Sequence, residues 1–309
     1  MRILVVGAGA IGGYFGGRLA QAGRDVTFLV RPRRAAALAE AGLVIKSPRG
    51  DVAIASPKTV TADSLRAPYD LVLLSCKAYD LDSAIADLAP SVGPETAILP
   101  LLNGMRHLEA LDHRFGADRV LGGQCIVSTT LDEDGRILHL NELHSLTFGE
   151  RDGRRSPRIL AIAEALAGAG FDTRLSEAIL QEMWDKWVFI ATGAGITCLM
   201  RAAIGDIAAA GAADLAVALF EETAAIAAES GFPLGDTARQ RALAVYTASG
   251  STMTASMLRD IERGAPTEAD HVLGDLLQRS RRVDRFGLLR IAYAHVKAYE
   301  ARRARSAAP

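Results

Sequence analysis

The chain has 309 residues, 50% of them hydrophobic and 23% charged, with a formal net charge of -1. That length is long for one hydrophobic core, so two domains are expected. The near-neutral balance gives no electrostatic reason for a nucleic-acid or anionic-membrane partner, and no charge-free apolar run reaches the ~20 residues of a membrane span.

The first residues form a strand pattern, Arg2-Ile3-Leu4-Val5-Val6, rather than a basic leader. Gly7-Ala8-Gly9-Ala10-Ile11-Gly12 follows at once, and a helix is predicted from Gly12 to Ala22, closed by Gly23. Gly7 permits the tight turn, Gly9 lets backbone approach a pyrophosphate, and Gly12 lets the helix pack closely on the sheet. The free N–H groups and positive dipole end of that helix would face the phosphates. A second strand runs from Asp25 to Val30. An NAD site usually ends this strand with an acid that accepts from the adenosine ribose. Here the strand ends in Arg31-Pro32-Arg33-Arg34, and a guanidinium can grip a 2′-phosphate bidentately. Three arginines there also fit a solvated face, although cations oppose the dipole at a helix N-terminus unless an anion is present. NADP(H) is therefore the predicted cofactor.

Up to about residue 172, short apolar runs alternate with helical patterns. Leu71–Leu74, Ala97–Leu102 and a segment starting at Val120-Leu121 read as strands, and Leu81–Leu88 and His107–Phe115 as helices. Such alternation predicts a Rossmann-type, doubly wound parallel sheet. Two hairpins are predicted: Leu43–Ile54 across Pro48-Arg49-Gly50, and Arg136–Phe148 turning at Asn141–His144. A helix over Pro157–Ala167 and a short Phe171–Thr173 segment close this α/β half. Beyond it strands nearly vanish. Glu177–Ala194, Asp206–Ser230, Pro233–Tyr246 and Thr267–Arg282 show helical spacing, and Arg302–Arg305 reads as a frayed basic tail. The prediction is thus a dinucleotide-binding domain over 1–172 and an all-helical substrate domain over 173–309, with a hinge near Phe171–Leu175. The alanine-rich helices fit a homodimer face or an internal core equally.

Ligands of open parallel sheets bind beyond the carboxyl ends of the strands, where Lys77 and Asn103-Gly104 stand. Each could equally be an ordinary turn residue. In the helical half, Lys186 lies between Trp184 and Trp187 at the head of a strongly apolar stretch. Burial there would make it a competent proton donor, whereas a snorkelling lysine would keep its ammonium in water. Thr267 reads as an N-cap with Glu268 in the first turn. Glu268 and His271 have the spacing of half a metal site, but no second pair completes it and no metal is expected. Cys76, Cys125 and Cys198 are odd in number and far apart, which suits a reducing cytoplasm.

The glycine turn, Arg31, Lys77, Asn103-Gly104, Trp184-Asp185-Lys186, Ser256-Met257-Leu258-Arg259-Asp260 and Pro266-Thr267-Glu268-Ala269-Asp270 together resemble the ketopantoate reductase (2-dehydropantoate 2-reductase) family over nearly the whole chain. The resemblance implies an NADPH-dependent reduction of 2-dehydropantoate to pantoate, in pantothenate biosynthesis, in a cleft between the two domains. It implies Lys186 as the catalytic lysine that hydrogen-bonds and protonates the ketone oxygen, and Glu268 as the residue positioning substrate and nicotinamide ribose. It further implies Ser256 on the substrate carboxylate, and Asn103 and Lys77 lining the cofactor and substrate site. This chain departs from the family at Ile190, Ala194 and Met253, where asparagines are usual. Their absence points to an acceptor less polar than ketopantoate, with Thr192, Thr197 and Arg201 as candidate replacement contacts. An NADPH-binding sensor with little catalysis is the rival from another class, against which intact Lys186 and Glu268 speak.

Overall fold

A computed structural model describes residues 1–281 and 287–307. They form two compact units: Met1–Leu102 with His107–Leu180, and Asn103–Arg106 with the residues from Gln181 onward.

The first unit begins with β1 (Arg2–Val6), α1 (Ala10–Gln21), β2 (Asp25–Leu29) and α2 (Pro32–Ala41), followed by the hairpin β3 (Leu43–Lys46) and β4 (Val52–Ile54). Next come β5 (Thr59–Val60), β6 (Leu71–Leu74), α3 (Leu81–Leu88), β7 (Ala97–Pro100) and α4 (Arg106–Phe115). The unit closes with the long strands β8 (Gly122–Leu131) and β9 (Ile137–Gly149), then α5 (Pro157–Leu166) and β10 (Asp172–Leu175). A parallel sheet runs in the order β5-β2-β1-β6-β7. Strands β6 and β7 are wholly buried and β1 is buried beyond Arg2, which is why they appear in the sequence as unbroken apolar runs. A second sheet runs β10-β9-β3-β4, with β8 antiparallel to β9. Helix α1 packs on both sheets. A Cβ at Gly16 would lie 2.6 Å from Phe28, and one at Gly17 would lie 2.8 Å from Ile45 and Leu43.

Three expectations for this half are corrected. Asn141–His144 is not the turn of a hairpin: β9 runs through it and pairs with β8 around a turn at Asp132–Gly135. Asp132 organises that turn, its carboxylate accepting from the backbone N–H groups of Asp134 and Arg136. The Asn141–His144 region is instead a bulge, where the register jumps from Val127 opposite His144 to Thr129 opposite His139. The strand beginning at Val120-Leu121 touches the parallel sheet through a single bridge, Val120 to Ile98, before joining the second sheet. Finally, Phe171–Leu175 is no free hinge, because β10 is held in parallel register with β9 from Asp172 opposite Ser145 to Leu175 opposite Phe148.

The second unit is helical: α6 (Ile179–Met200), α7 (Ile204–Ala209), α8 (Ala213–Glu229), α9 (Asp236–Tyr246), α10 (Ser256–Glu262), a π-helical turn (Asp270–Gly274), α11 (Asp275–Arg279) and α12 (Leu288–Ala307). Helix α6 outruns its predicted end and stops where Arg201 adopts φ 54°. The predicted helix over Asp206–Ser230 is two helices, split where Gly211 takes φ 76°. The segment from Thr267 is not one α-helix, since it passes through the π-turn and α11 ends at Arg279; its predicted end, Arg282, lies outside the described residues. Arg302–Arg305 are not frayed but form the last turns of α12. No helix among the described residues is long and apolar enough to cross a membrane.

Candidate active site

In the first unit the glycine turn is built as its sequence requires. Gly7 sits at φ 92°, open to glycine with little penalty, and its N–H donates to Leu29 O at 2.9 Å. A Cβ at Gly12 would come within 2.1 Å of Ser75 Oγ and 2.2 Å of Gly7 O, so only glycine lets α1 approach the strand ends this closely. Ser75, a residue the sequence reading passed over, donates its hydroxyl to Val6 O at 2.8 Å and clamps β6 to β1 there. Gly9 is the N-cap of α1, and Ala10 and Ile11 open its first turn, which contains no acid. A Cβ at Gly9 would meet no protein atom within 4 Å. The turn therefore has open space over a helix N-terminus, flanked by tight packing, and it fits a dinucleotide pyrophosphate. Ala8 is buried, and its carbonyl accepts from Arg34 Nε at 3.2 Å.

The three arginines after β2 take separate roles. Arg34 turns inward, bonding Ala8 O and, through its NH2 group, Gly135 O at 3.1 Å, and burial lowers its pKa. Arg33 is exposed. Arg31, the N-cap residue of α2, has a side chain 68% exposed and contacts Asp80 Oδ1 at 2.6 Å. That ion pair raises the pKa of Arg31 further, first through the hydrogen bond to Asp80 and then through its charge. Lys77 follows β6 on the surface, where its carbonyl caps a 3-10 turn by accepting from Asp80 N–H at 2.9 Å.

In the second unit Trp184 and Trp187 are buried, with ring centroids 4.8 Å apart. Trp184 stacks on Phe232 at 5.3 Å, and the Arg279 guanidinium lies 5.6 Å from the Trp187 ring centroid. This aromatic block flanks the half-buried Lys186 in sequence and fixes the turn of α6 that carries it. Asp185 accepts from Gln181 Nε2 at 2.8 Å, while its own burial raises its pKa. Trp187 Nε1 donates to Val272 O at 2.9 Å, joining α6 to the segment that starts at Glu268. The Glu268 carbonyl accepts from the N–H groups of His271 and Val272, and Thr267 Oγ1 accepts from Ala269 N–H at 3.3 Å, so Thr267 and Glu268 together cap this segment.

Asn103 and Gly104 belong to this same unit. His271, whose ring nitrogen bonds the Asn103 backbone, is buried with its pKa lowered by that burial. A Cβ at Gly104, where φ is 78°, would lie 3.0 Å from His271. Lys186, Asn103 and Glu268 are thus all anchored on the 268–272 segment. Ser256 is the exposed first residue of α10, and the neighbouring Ala255 N–H reaches Thr197 Oγ1 on α6 at 3.4 Å.

Two of the three candidate replacement contacts are committed to internal hydrogen bonds. Thr192 is wholly buried, donating to Val188 O at 2.9 Å and bonding Thr223 Oγ1 at 2.8 Å. Thr197 is equally buried and donates to Gly193 O at 2.6 Å. Arg201 terminates the helix. The Met253 methyl lies 3.7 Å from where a Cβ on Gly193 would be, beside the Tyr246 hydroxyl, which donates to Phe189 O.

Two family models, described as ketopantoate reductase PanE/ApbA and its C-terminal counterpart, match residues 3–153 and 178–300. An uncharacterized oxidoreductase, YkpB of Bacillus subtilis, is 39% identical over 97% of this chain and 99% of its own. A 2-dehydropantoate 2-reductase of Mesorhizobium japonicum is 30% identical over 92% of this chain and 93% of its own. The crystal structure of 2-dehydropantoate 2-reductase from Methylococcus capsulatus superposes with a TM-score of 0.86 at 28% identity, covering 98% of each chain. The turn geometry, the helical second unit and these matches over both halves lead to one conclusion: the chain is an oxidoreductase that belongs to the ketopantoate reductase family.

Proposed function

We propose that this oxidoreductase uses NADPH to reduce the C2 carbonyl of a 2-oxo acid, with 2-dehydropantoate as the first acceptor and pantoate as its product. The observation that carries the reading is Lys186, set on a turn of α6 immobilised by two buried tryptophans and tied through Trp187 to the segment of Glu268. A bound nicotinamide supplies the hydride. As negative charge builds on the ketone oxygen, the Lys186 ammonium stabilises it and delivers the proton. Glu268 and Asn103, sharing one rigid support, orient the substrate, and the Ser256 hydroxyl takes the carboxylate. Arg31 in place of an acid supports the phosphorylated cofactor.

A second reading keeps the chemistry and changes the acceptor. Thr192 and Thr197 are committed to internal hydrogen bonds, and Ile190, buried Ala194 and Met253 supply no amide where the family has asparagines. That favours a less polar 2-oxo acid, because each missing amide removes hydrogen bonds of ~1 kcal/mol. Purified protein mixed with NADPH and 2-dehydropantoate, followed at the nicotinamide absorbance band, tests the first reading. A panel of 2-oxo acids of graded polarity tests the second. Binding of NADPH with turnover on none of them would overturn both and leave a nucleotide-holding protein.

A further inference from the structure

NAD sites hold the adenosine ribose with an acid at the end of the second strand, and in this chain that place is Arg31. The fold nevertheless brings a carboxylate to the same spot from another element. β2 and β6 flank β1 in parallel register, with Val6 opposite both Leu29 and Leu74, so the residues following both strands emerge at one sheet edge. Asp80 lies there, its Oδ1 at 2.6 Å from the Arg31 guanidinium. Its backbone is fixed: its N–H donates to Lys77 O at 2.9 Å and its carbonyl accepts from Ser83 Oγ at 3.1 Å. Its side chain is 35% exposed. The contact uses one carboxylate oxygen and one guanidinium nitrogen, which leaves both groups able to bond a ligand as well.

We propose that Asp80 is a specificity-determining residue for the cofactor, accepting from the ribose hydroxyls of an unphosphorylated dinucleotide and competing with a 2′-phosphate for Arg31. The proposal rests on the assignment of Arg31 to that phosphate. An ion pair this exposed opens readily, since water solvates both partners, so a dianionic phosphate can draw Arg31 away from Asp80. Asp80 then remains as a like charge beside the phosphate and offsets part of the gain. With NADH the pair stays closed, and the carboxylate does the work of the acid missing from β2. The chain therefore binds NADH alongside NADPH, with a discrimination smaller than Arg31 alone would give.

Dissociation constants of NADPH and NADH, measured by nicotinamide fluorescence without substrate at one ionic strength, decide this. Asp80→Asn keeps the shape and removes the charge. It is expected to tighten NADPH and weaken NADH, moving their ratio by roughly tenfold. Asp80→Ser is expected to move the ratio in the same direction, which guards against an effect peculiar to the amide. An unchanged ratio, or weaker NADPH binding in both variants, overturns the proposal. Arg31→Ala separates the two levels: selective loss of NADPH upholds the phosphate assignment even if Asp80 proves inert, and equal loss of both cofactors refutes the assignment itself.

Discussion

Trp187 donates its indole N–H to the carbonyl of Val272 at 2.9 Å, and both residues are buried. This bond crosses 85 residues of sequence and joins the helix of Lys186 to the π-helical turn that follows Glu268. Trp187→Phe keeps most of the ring volume and leaves the Val272 carbonyl without that donor. Such a loss is expected to cost about 1–3 kcal/mol of stability in urea denaturation. Because the support of Lys186 and Glu268 loosens together, kcat should fall while the dissociation constant of NADPH holds. An unchanged kcat in a destabilised variant would show that the bond serves the fold alone.

Lys186→Ala tests the proton donor directly. Turnover is expected to fall by roughly 10²–10⁴-fold, the span of general acid catalysis, with NADPH affinity nearly unchanged. Retention of substantial turnover would remove Lys186 from the mechanism.

Two glycines of the phosphate turn should fail in different ways. At Gly12 an added methyl collides with Ser75 Oγ and the Gly7 carbonyl, so Gly12→Ala must displace backbone and is expected to lower both the melting temperature and dinucleotide affinity. At Gly9 the methyl meets no protein atom, and φ is -84°. Gly9→Ala is therefore expected to melt like the wild type and still bind NADPH weakly, because the methyl fills space meant for the pyrophosphate. Equal NADPH affinity in Gly9→Ala and wild type would place the phosphates elsewhere.

These glycines were legible because the pattern around them is local: a buried strand, a tight turn, a helix start. The bulge at Asn141–His144 was not. A polar cluster reads as a turn, yet its ends are claimed by distant partners, with His139 bonded to Ser47 Oγ and His144 to Tyr14 Oη, both at 2.8 Å. Thr192 and Thr197 mislead for the same reason, since the partner of Thr192 lies 31 residues away on α8. The seven residues of α10 are too few to show a helical period, and α12 hides its buried Leu289, Ala292 and Val296 among charges. At the candidate site, Lys186 and Glu268 were named through the family resemblance, but the bond that joins their segments and the pairing of Arg31 with Asp80 exist only in three dimensions.

His144, bonded to Tyr14 Oη and stacked beside His139, carries a pH signature. His139 Nε2 donates to Leu143 O at 3.0 Å, and Nδ1 accepts from Ser47 Oγ at 2.8 Å. Burial depresses the pKa of His144; Arg49, His139 and Arg18 add to this, with Asp172 opposing. Burial likewise lowers His271. Both rings take up a proton less readily in the fold than in the unfolded chain, where histidine titrates near 6.5, so stability is full above that value and is lost progressively as pH drops below it. The urea midpoint is expected to be lower at pH 5.5 than at pH 7.5, above the range where carboxylates protonate. His144→Gln should flatten that dependence, and an unaltered slope would assign the loss to other groups.

Restoring the family's amides tests what the acceptor is. Met253 donates no side-chain hydrogen bond, and its methyl packs near Gly193, one turn of α6 beyond Ile190. If Ile190, Ala194 and Met253 make the face less polar, Met253→Asn combined with Ile190→Asn should raise kcat/KM for 2-dehydropantoate and lower it for an apolar 2-oxo acid. Two regained hydrogen bonds of ~1 kcal/mol each correspond to a combined gain of roughly 30-fold. The ratio of the two kcat/KM values is the quantity to follow, because a general loss of folding would lower both together. A ratio that does not move would mean these positions lie off the substrate, and the search for the acceptor's polar partners would shift to the turns bearing Asn103 and Ser256.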